Sequence, residues 1–233
     1  MKKILFSTLT LLAGSLLIAQ ADPKDDLTAA AQKLGGESSY SWHTTVVVPP
    51  DSRFKPGPTD GKTDSGLIYQ KMSFGDNTTE MYLKGTNAAV SDPDGNWQSL
   101  ADLAADDQGP GRFMVGMIRN FRAPAQQASD LIAGSQGLAV ADGVYSGSLS
   151  ADAAKKLLTF RRRGGNGAEV TDPSGTVKFW VTSGELTKYE FTVKGTVTFN
   201  DNPTDIQRDT TVAINNIGSA KITVPDDAKA KMQ

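Results

Sequence analysis

Val177-Lys178-Phe179-Trp180-Val181-Thr182-Ser183-Gly184-Glu185-Leu186-Thr187-Lys188-Tyr189-Glu190-Phe191-Thr192-Val193-Lys194 is the stretch that decides the fold. Val177, Phe179 and Val181 alternate with Lys178 and Thr182. Tyr189, Phe191 and Val193 alternate with Lys188, Glu190, Thr192 and Lys194. Side chains two apart share one face of a strand, so each run has an apolar face and a polar face. The parity continues through Val197 and Phe199, and Val212, Ile214, Ile222 and Val224 repeat it. One-sided alternation predicts an antiparallel sheet with one wet face.

Upstream, the pattern changes twice. Tyr40, Trp42, Thr44, Val46 and Val48 predict one strand face, with His43 on the other. Gly66 to Phe74, Thr79 to Leu83 and Ala88 to Ser91 predict three more strands, with Met81 and Leu83 inward and Tyr82 outward. Pro49 to Ser65 carries prolines and polar turn clusters and reads as a long exposed loop. Asp92-Pro93-Asp94-Gly95-Asn96 reads as a tight turn leading into Trp97. Between these strands and the final sheet, Phe113, Met114, Met117, Ile118 and Phe121 give Pro110 to Arg122 the spacing of an amphipathic helix. Pro124 to Ile132 reads as another helix and Gly143 to Leu149 as a strand. A helix capped by Ser150 follows, with Arg161 to Arg163 at its end. Asp22 to Leu34 reads as a first helix. Leu27, Ala30, Ala31 and Leu34 share its face, and Gly35-Gly36 stops it. The order predicts an α+β domain, a large antiparallel sheet with helices gathered on one face. No linker separates two cores, so residues 22–233 are expected to form a single domain.

Residues 1–21 read as a signal peptide. Lys2-Lys3 precedes an apolar run from Ile4 to Ile18, and Ala19-Gln20-Ala21 is a small-x-small cleavage site before Asp22. Periplasmic or secreted localisation is the expectation. With no cysteine in the chain, neither a lipid-modified N-terminus, a disulfide nor a thiolate metal site is expected. Cleavage removes two lysines and no acid, moving the formal net charge of −2 two units further negative. That balance argues against a nucleic-acid partner.

Catalytic constellations are not evident. His43 is the single histidine and falls on a polar strand face. Ser52-Arg53-Phe54-Lys55 matches S-x-x-K but lies among prolines and glycines. Asp92, Asp94 and Asn96 begin like a calcium loop, yet Trp97 stands where glycine is needed and Leu103 where glutamate is needed. Asp106-Asp107 and Asp226-Asp227 read as solvated surface carboxylates. No enzymatic activity, cofactor or metal is therefore expected. What the sequence does supply is a set of large adaptable apolar groups, with methionines suited to promiscuous surfaces.

The signal peptide, the short Ala/Leu helix, the Trp42 strand ending in Val46-Val47-Val48, the D-x-D-G-x-W turn, the central helices and the Gly184-Glu185-Leu186-Thr187-Lys188 hairpin together resemble the LolA/LolB and LppX/LprG superfamily of periplasmic lipoprotein and lipid carriers. The resemblance implies an unclosed, curved antiparallel half-barrel with helices on its concave side and acyl chains between the two. It implies a carrier for a lipid, a lipoprotein acyl chain or another apolar ligand. An envelope membrane or protein is the further partner expected. The alternative is a non-enzymatic interaction module of the same fold. The cavity residues expected from the apolar pattern are Trp42, Met81, Phe113, Met114, Met117, Phe121, Phe179 and Phe191. The lipid-modified cysteine of LppX, LprG and LolB types has no counterpart here. Arg53 and Arg112 stand outside the context of the latch arginine of LolA, and neither is carried over.

Overall fold

The computed structural model describes residues 22–52, 55–105, 110–159, 169–199 and 201–232. The signal segment, Arg53-Phe54, Asp106-Asp107 and Arg161 to Arg163 lie outside the described residues.

Among the described residues, eleven strands form one antiparallel sheet in the order β6-β5-β4-β3-β2-β1-β11-β10-β9-β8-β7. The N-terminal meander is β1 (Ser39–Val47), β2 (Thr59–Asp64), β3 (Leu67–Phe74), β4 (Asn77–Lys84), β5 (Asn87–Ser91) and β6 (Trp97–Ser99). The C-terminal meander is β7 (Ser135–Ala141), β8 (Val144–Leu149), β9 (Glu169–Thr182), β10 (Glu185–Phe199) and β11 (Asn202–Asn215). The two are zipped together where β1 pairs with β11, with Trp42 opposite Ile214 and Thr44 opposite Val212. β6 and β7 are left as unjoined edges, so the sheet is open. Three helices, α2 (Leu100–Ala105), α3 (Pro110–Arg119) and α4 (Pro124–Ala133), lead from one edge to the other. The expected half-barrel architecture is the one observed.

Helix starts follow local chemistry. In α1 (Pro23–Gly36), Asp22 accepts the Lys24 N–H at 2.9 Å and Pro23 opens the first turn. In α2, Ser99 and Asp102 each accept the other's backbone N–H at 3.0 Å, a reciprocal cap. In α5 (Ala151–Leu158), Ser150 accepts from the Ala153 N–H.

Register sorts the side chains. Trp42, Tyr189, Phe179, Phe191, Val212 and Met81 all point to the face that carries α1 to α5. The opposite face of β9 and β10 is wet, as the lysines and Glu190 predict. The opposite face of β4 and β5 is not. Tyr82, expected to be outward and wet, is 5 % exposed. It lies under the C-terminal segment, with Ala89, Tyr69, Trp97, Ile222, Val224 and α6 (Asp226–Lys231) around it. The Tyr82 hydroxyl donates to the Thr223 carbonyl at 3.3 Å. Ile222 and Val224, expected in a strand, run unpaired instead. Their alternation serves to cover Tyr82 and Tyr69 rather than to extend the sheet. Two ion pairs hold this segment down, Lys221–Asp64 at 3.3 Å and Lys231–Asp102 at 3.2 Å.

The expectation of a loop over Pro49 to Ser65 fails at its end. Thr-Asp-Gly-Lys-Thr-Asp forms β2, paired on both sides. Its polarity hid it. A Cβ on Gly61 would collide with the Trp42 indole, so the ring occupies the space a side chain would take. In β9, Pro173 sits at a register irregularity beside Asp172 (φ 50°), where a strand tolerates proline.

Candidate functional site

The concave face holds two apolar clusters. The larger joins β1, β9, β10 and β11 to α1, α4 and α5, and is filled by branched and aromatic groups. Phe179 and Tyr189 are fully buried, with ring centroids 6.3 Å apart. The Tyr189 hydroxyl donates to Gln127 Oε1 of α4 at 2.7 Å, and burial pushes its ionisation well above the ordinary range. Arg208 reaches the Leu157 carbonyl at the end of α5, at 3.0 Å, where the helix dipole favours a cation. Burial pulls its ionisation down.

The smaller cluster joins β3, β4 and β5 to α2 and α3. Met72, Met81, Ala88 and Val90 rise from the sheet. Leu103, Val115 and Ile118 come down from the helices, with Met114 and Met117 half-buried at the margin. Gln70, opposite Gly61 in β2 and Met81 in β4, places an amide on the concave face between the clusters. The Trp42 indole lies over Gly61 and stacks on Phe121 at 6.4 Å and 26°. Phe121 belongs to the short link between α3 and α4, so this stack joins the two sides.

The eight sequence-predicted residues are thus divided. Trp42, Phe121, Phe179 and Phe191 belong to the larger cluster, and Met81, Met114 and Met117 to the smaller. Phe113 belongs to neither; it lies on the outer side of α3 and is 60 % exposed. The helical spacing that included it is broad enough to take in one residue too many.

An open cleft of about 400 Å³ lies beside these clusters, at the end of α1. Gln32 and Glu37, Tyr40 and Thr63, and Ala125 and Gln126 of α4 line it, among others. None of the eight predicted residues does. Tyr40 connects it to the aromatic seam, its ring 5.8 Å from Trp42. Burial raises the Tyr40 phenol, partly offset by a hydrogen bond from the Ala125 backbone. Tyr40 shares parity with Trp42, so the sequence held the signal for it; nothing marked Gly61 or Gln70.

On the convex face, His43 Nδ1 meets Asp60 Oδ1 at 2.7 Å, both partly exposed. Among the described residues no three His, Cys, Asp or Glu side chains gather as a metal site. Nor is any helix long and apolar enough to cross a membrane.

This open, eleven-stranded half-barrel with helices on its concave side defines the class of the protein by its own strand order. No family model matches the sequence, and no curated protein matches it. Among solved structures, the chain is similar to the Mycobacterium tuberculosis lipoprotein LppX, at 14 % identity and TM-score 0.45, over 87 % of this chain and 98 % of that one. It is similar to LprF from Mycobacterium bovis, at 14 % identity and TM-score 0.45, over 88 % and 97 %. A DUF1329 family protein from Desulfovibrio piger is more distant, at 9 % identity and TM-score 0.33, over 90 % and 98 %.

Proposed function

We propose that this protein is an exported, non-enzymatic carrier for an apolar ligand, a lipid or the acyl chain of a lipoprotein, in the bacterial cell envelope. The observation that supports it most is the methionine cluster. α3 packs over Met72 and Met81 with Val115 and Ile118, and its two methionines, Met114 and Met117, lie half-buried at the margin. Unbranched thioethers repack at low cost, so the interface between α3 and the sheet can part and re-form around an inserted chain. The link 120–123 has no regular structure to prevent it. A chain lying there would gain about 0.8 kcal/mol per buried CH₂, less the cost of ordering. Met81, Met114 and Met117 are its first contacts, with Trp42 and Phe121 at the seam. Phe179 and Phe191 form the fixed floor beyond.

The alternative, an interaction module with a filled half-barrel, draws on the close seating of Trp42 over Gly61. The two part on one experiment. Mass spectrometry of an organic extract of the natively purified protein should show a long-chain apolar compound in near-stoichiometric amount. An extract free of such compounds, together with delipidated protein that takes up no acyl probe, would give the alternative its place.

A further inference from the structure

The outer face of α3 joins exposed cations to an exposed aromatic ring. Arg112, Phe113, Gly116, Arg119 and Asn120 fall on one arc of the helix, away from Val115 and Ile118, which are buried. Arg122 follows directly in the link to α4. From Pro110 to Ser129 there are three arginines and no acidic residue, in a chain that is net acidic. Among the described residues, no ion pair joins Arg112 or Arg119 to a carboxylate. Phe113, 60 % exposed, is the one exposed large aromatic among the described residues. An apolar ring standing out between unpaired guanidiniums is the arrangement that enters a lipid headgroup layer, with the ring in the acyl boundary and the cations on anionic phosphates.

We propose that the outer face of α3 is a docking surface for an anionic phospholipid membrane, with Phe113 as the inserted wedge and Arg112, Arg119 and Arg122 as the charged rim. The observations favour a bilayer over an acidic protein. The apolar contact is a single exposed ring, and the cations beside it are exposed on the outer arc of a helix. The site does not depend on the cargo reading. If that reading also holds, docking sets the helix that roofs the methionine cluster against the membrane, which places loading and release at the bilayer surface.

The test is cosedimentation of the mature chain, residues 22–233, with vesicles. One set is phosphatidylcholine alone; the other contains phosphatidylglycerol. The expected result is binding to the anionic vesicles only, weakened as salt shortens the range of the attraction. Arg112→Gln and Arg119→Gln should each lower the partition by about fivefold. Phe113→Ser should lower it by about tenfold on both low and high salt, because the wedge is apolar. All three positions are exposed, so far-UV circular dichroism should be unchanged. Uptake of a fluorescent fatty acid, measured without vesicles, reports separately on the carrier reading. Equal binding to both vesicle types, variants that partition like the wild type, or no partition at all would each overturn the docking surface, the last pointing to a protein partner.

Discussion

The two halves of the concave face are built from different materials. On one side, β9, β10 and β11 run for 14, 15 and 14 residues, and their apolar side chains are branched or aromatic. Phe179, Tyr189, Val193 and Val197 are 0 % exposed there. On the other side, β5 and β6 span 5 and 3 residues, and the roofing helix covers the buried Met72 and Met81 while its own Met114 and Met117 stay half-buried. Long ladders and stiff rotamers specify one packing; short strands and thioethers permit several. The lesson is that one continuous sheet can combine a fixed frame with an adaptable compartment simply by changing side-chain type along its width.

A charge in the frame should have the largest effect. Phe191 is 5 % exposed on the inner face, opposite Thr210 and Val177. Phe191→Asp would bury an unpaired carboxylate and cost several kcal/mol, enough to abolish the cooperative urea transition. Protein that still melts normally would mean that the frame is not where the stability lies.

Truncations compare the halves directly. Phe179→Ala should cost about 3–5 kcal/mol in urea melts. Met117→Ala, half-buried at the margin of the smaller cluster, should cost about 1 kcal/mol. Similar losses would erase the distinction between frame and compartment.

Gly61 sits at the seam. Gly61→Val would push against the Trp42 ring and should cost about 1–3 kcal/mol, with a red shift of tryptophan emission as the indole moves. A stable variant with unchanged emission would show that the seam is looser than its geometry implies.

The smallest effect is a local one. Hydrogen bonds from the Ser99 backbone N–H and hydroxyl, then from Lys231, hold the Asp102 carboxyl below the usual carboxylate range. A depressed native value stabilises the fold above the ordinary carboxylate value and is lost as the pH falls through the native one. Amide exchange in α6 should therefore speed up on acidification below about pH 4. Asp102→Asn should reduce that dependence. No change in α6 would mean that the Lys231 contact does not anchor the C-terminal segment.

Much of the frame was legible in the sequence because its physics is local. Period-two alternation from Val177 to Val197 and Val212 to Ile214 puts the same residues on the same face whatever surrounds them. α1 and α5 announce themselves through caps and spacing. The parts that were not legible depend on distant contacts. β2 has no apolar residue, and only the Trp42 ring above Gly61 makes sense of it. Tyr82 alternates as a wet residue should, yet Ile222, Val224 and α6 return from the end of the chain to cover it. On α3, helical spacing grouped the half-buried Met114 and Met117 with the exposed Phe113, because the width of the buried stripe is set by how the helix is seated. Gln70 and the cleft at the end of α1 carry no sequence signal of a ligand.

The central proposal is that an acyl chain enters between α3 and the methionine-lined sheet. Titration of delipidated protein with a fluorescent fatty acid tests it most directly, using wild type, Met117→Trp and the convex-face control Glu190→Gln. Wild type and control should bind saturably with like affinity. Met117→Trp should fill the space and lose at least about tenfold, with its circular dichroism unchanged. No binding by the wild type, or equal binding by Met117→Trp, would contradict the proposal.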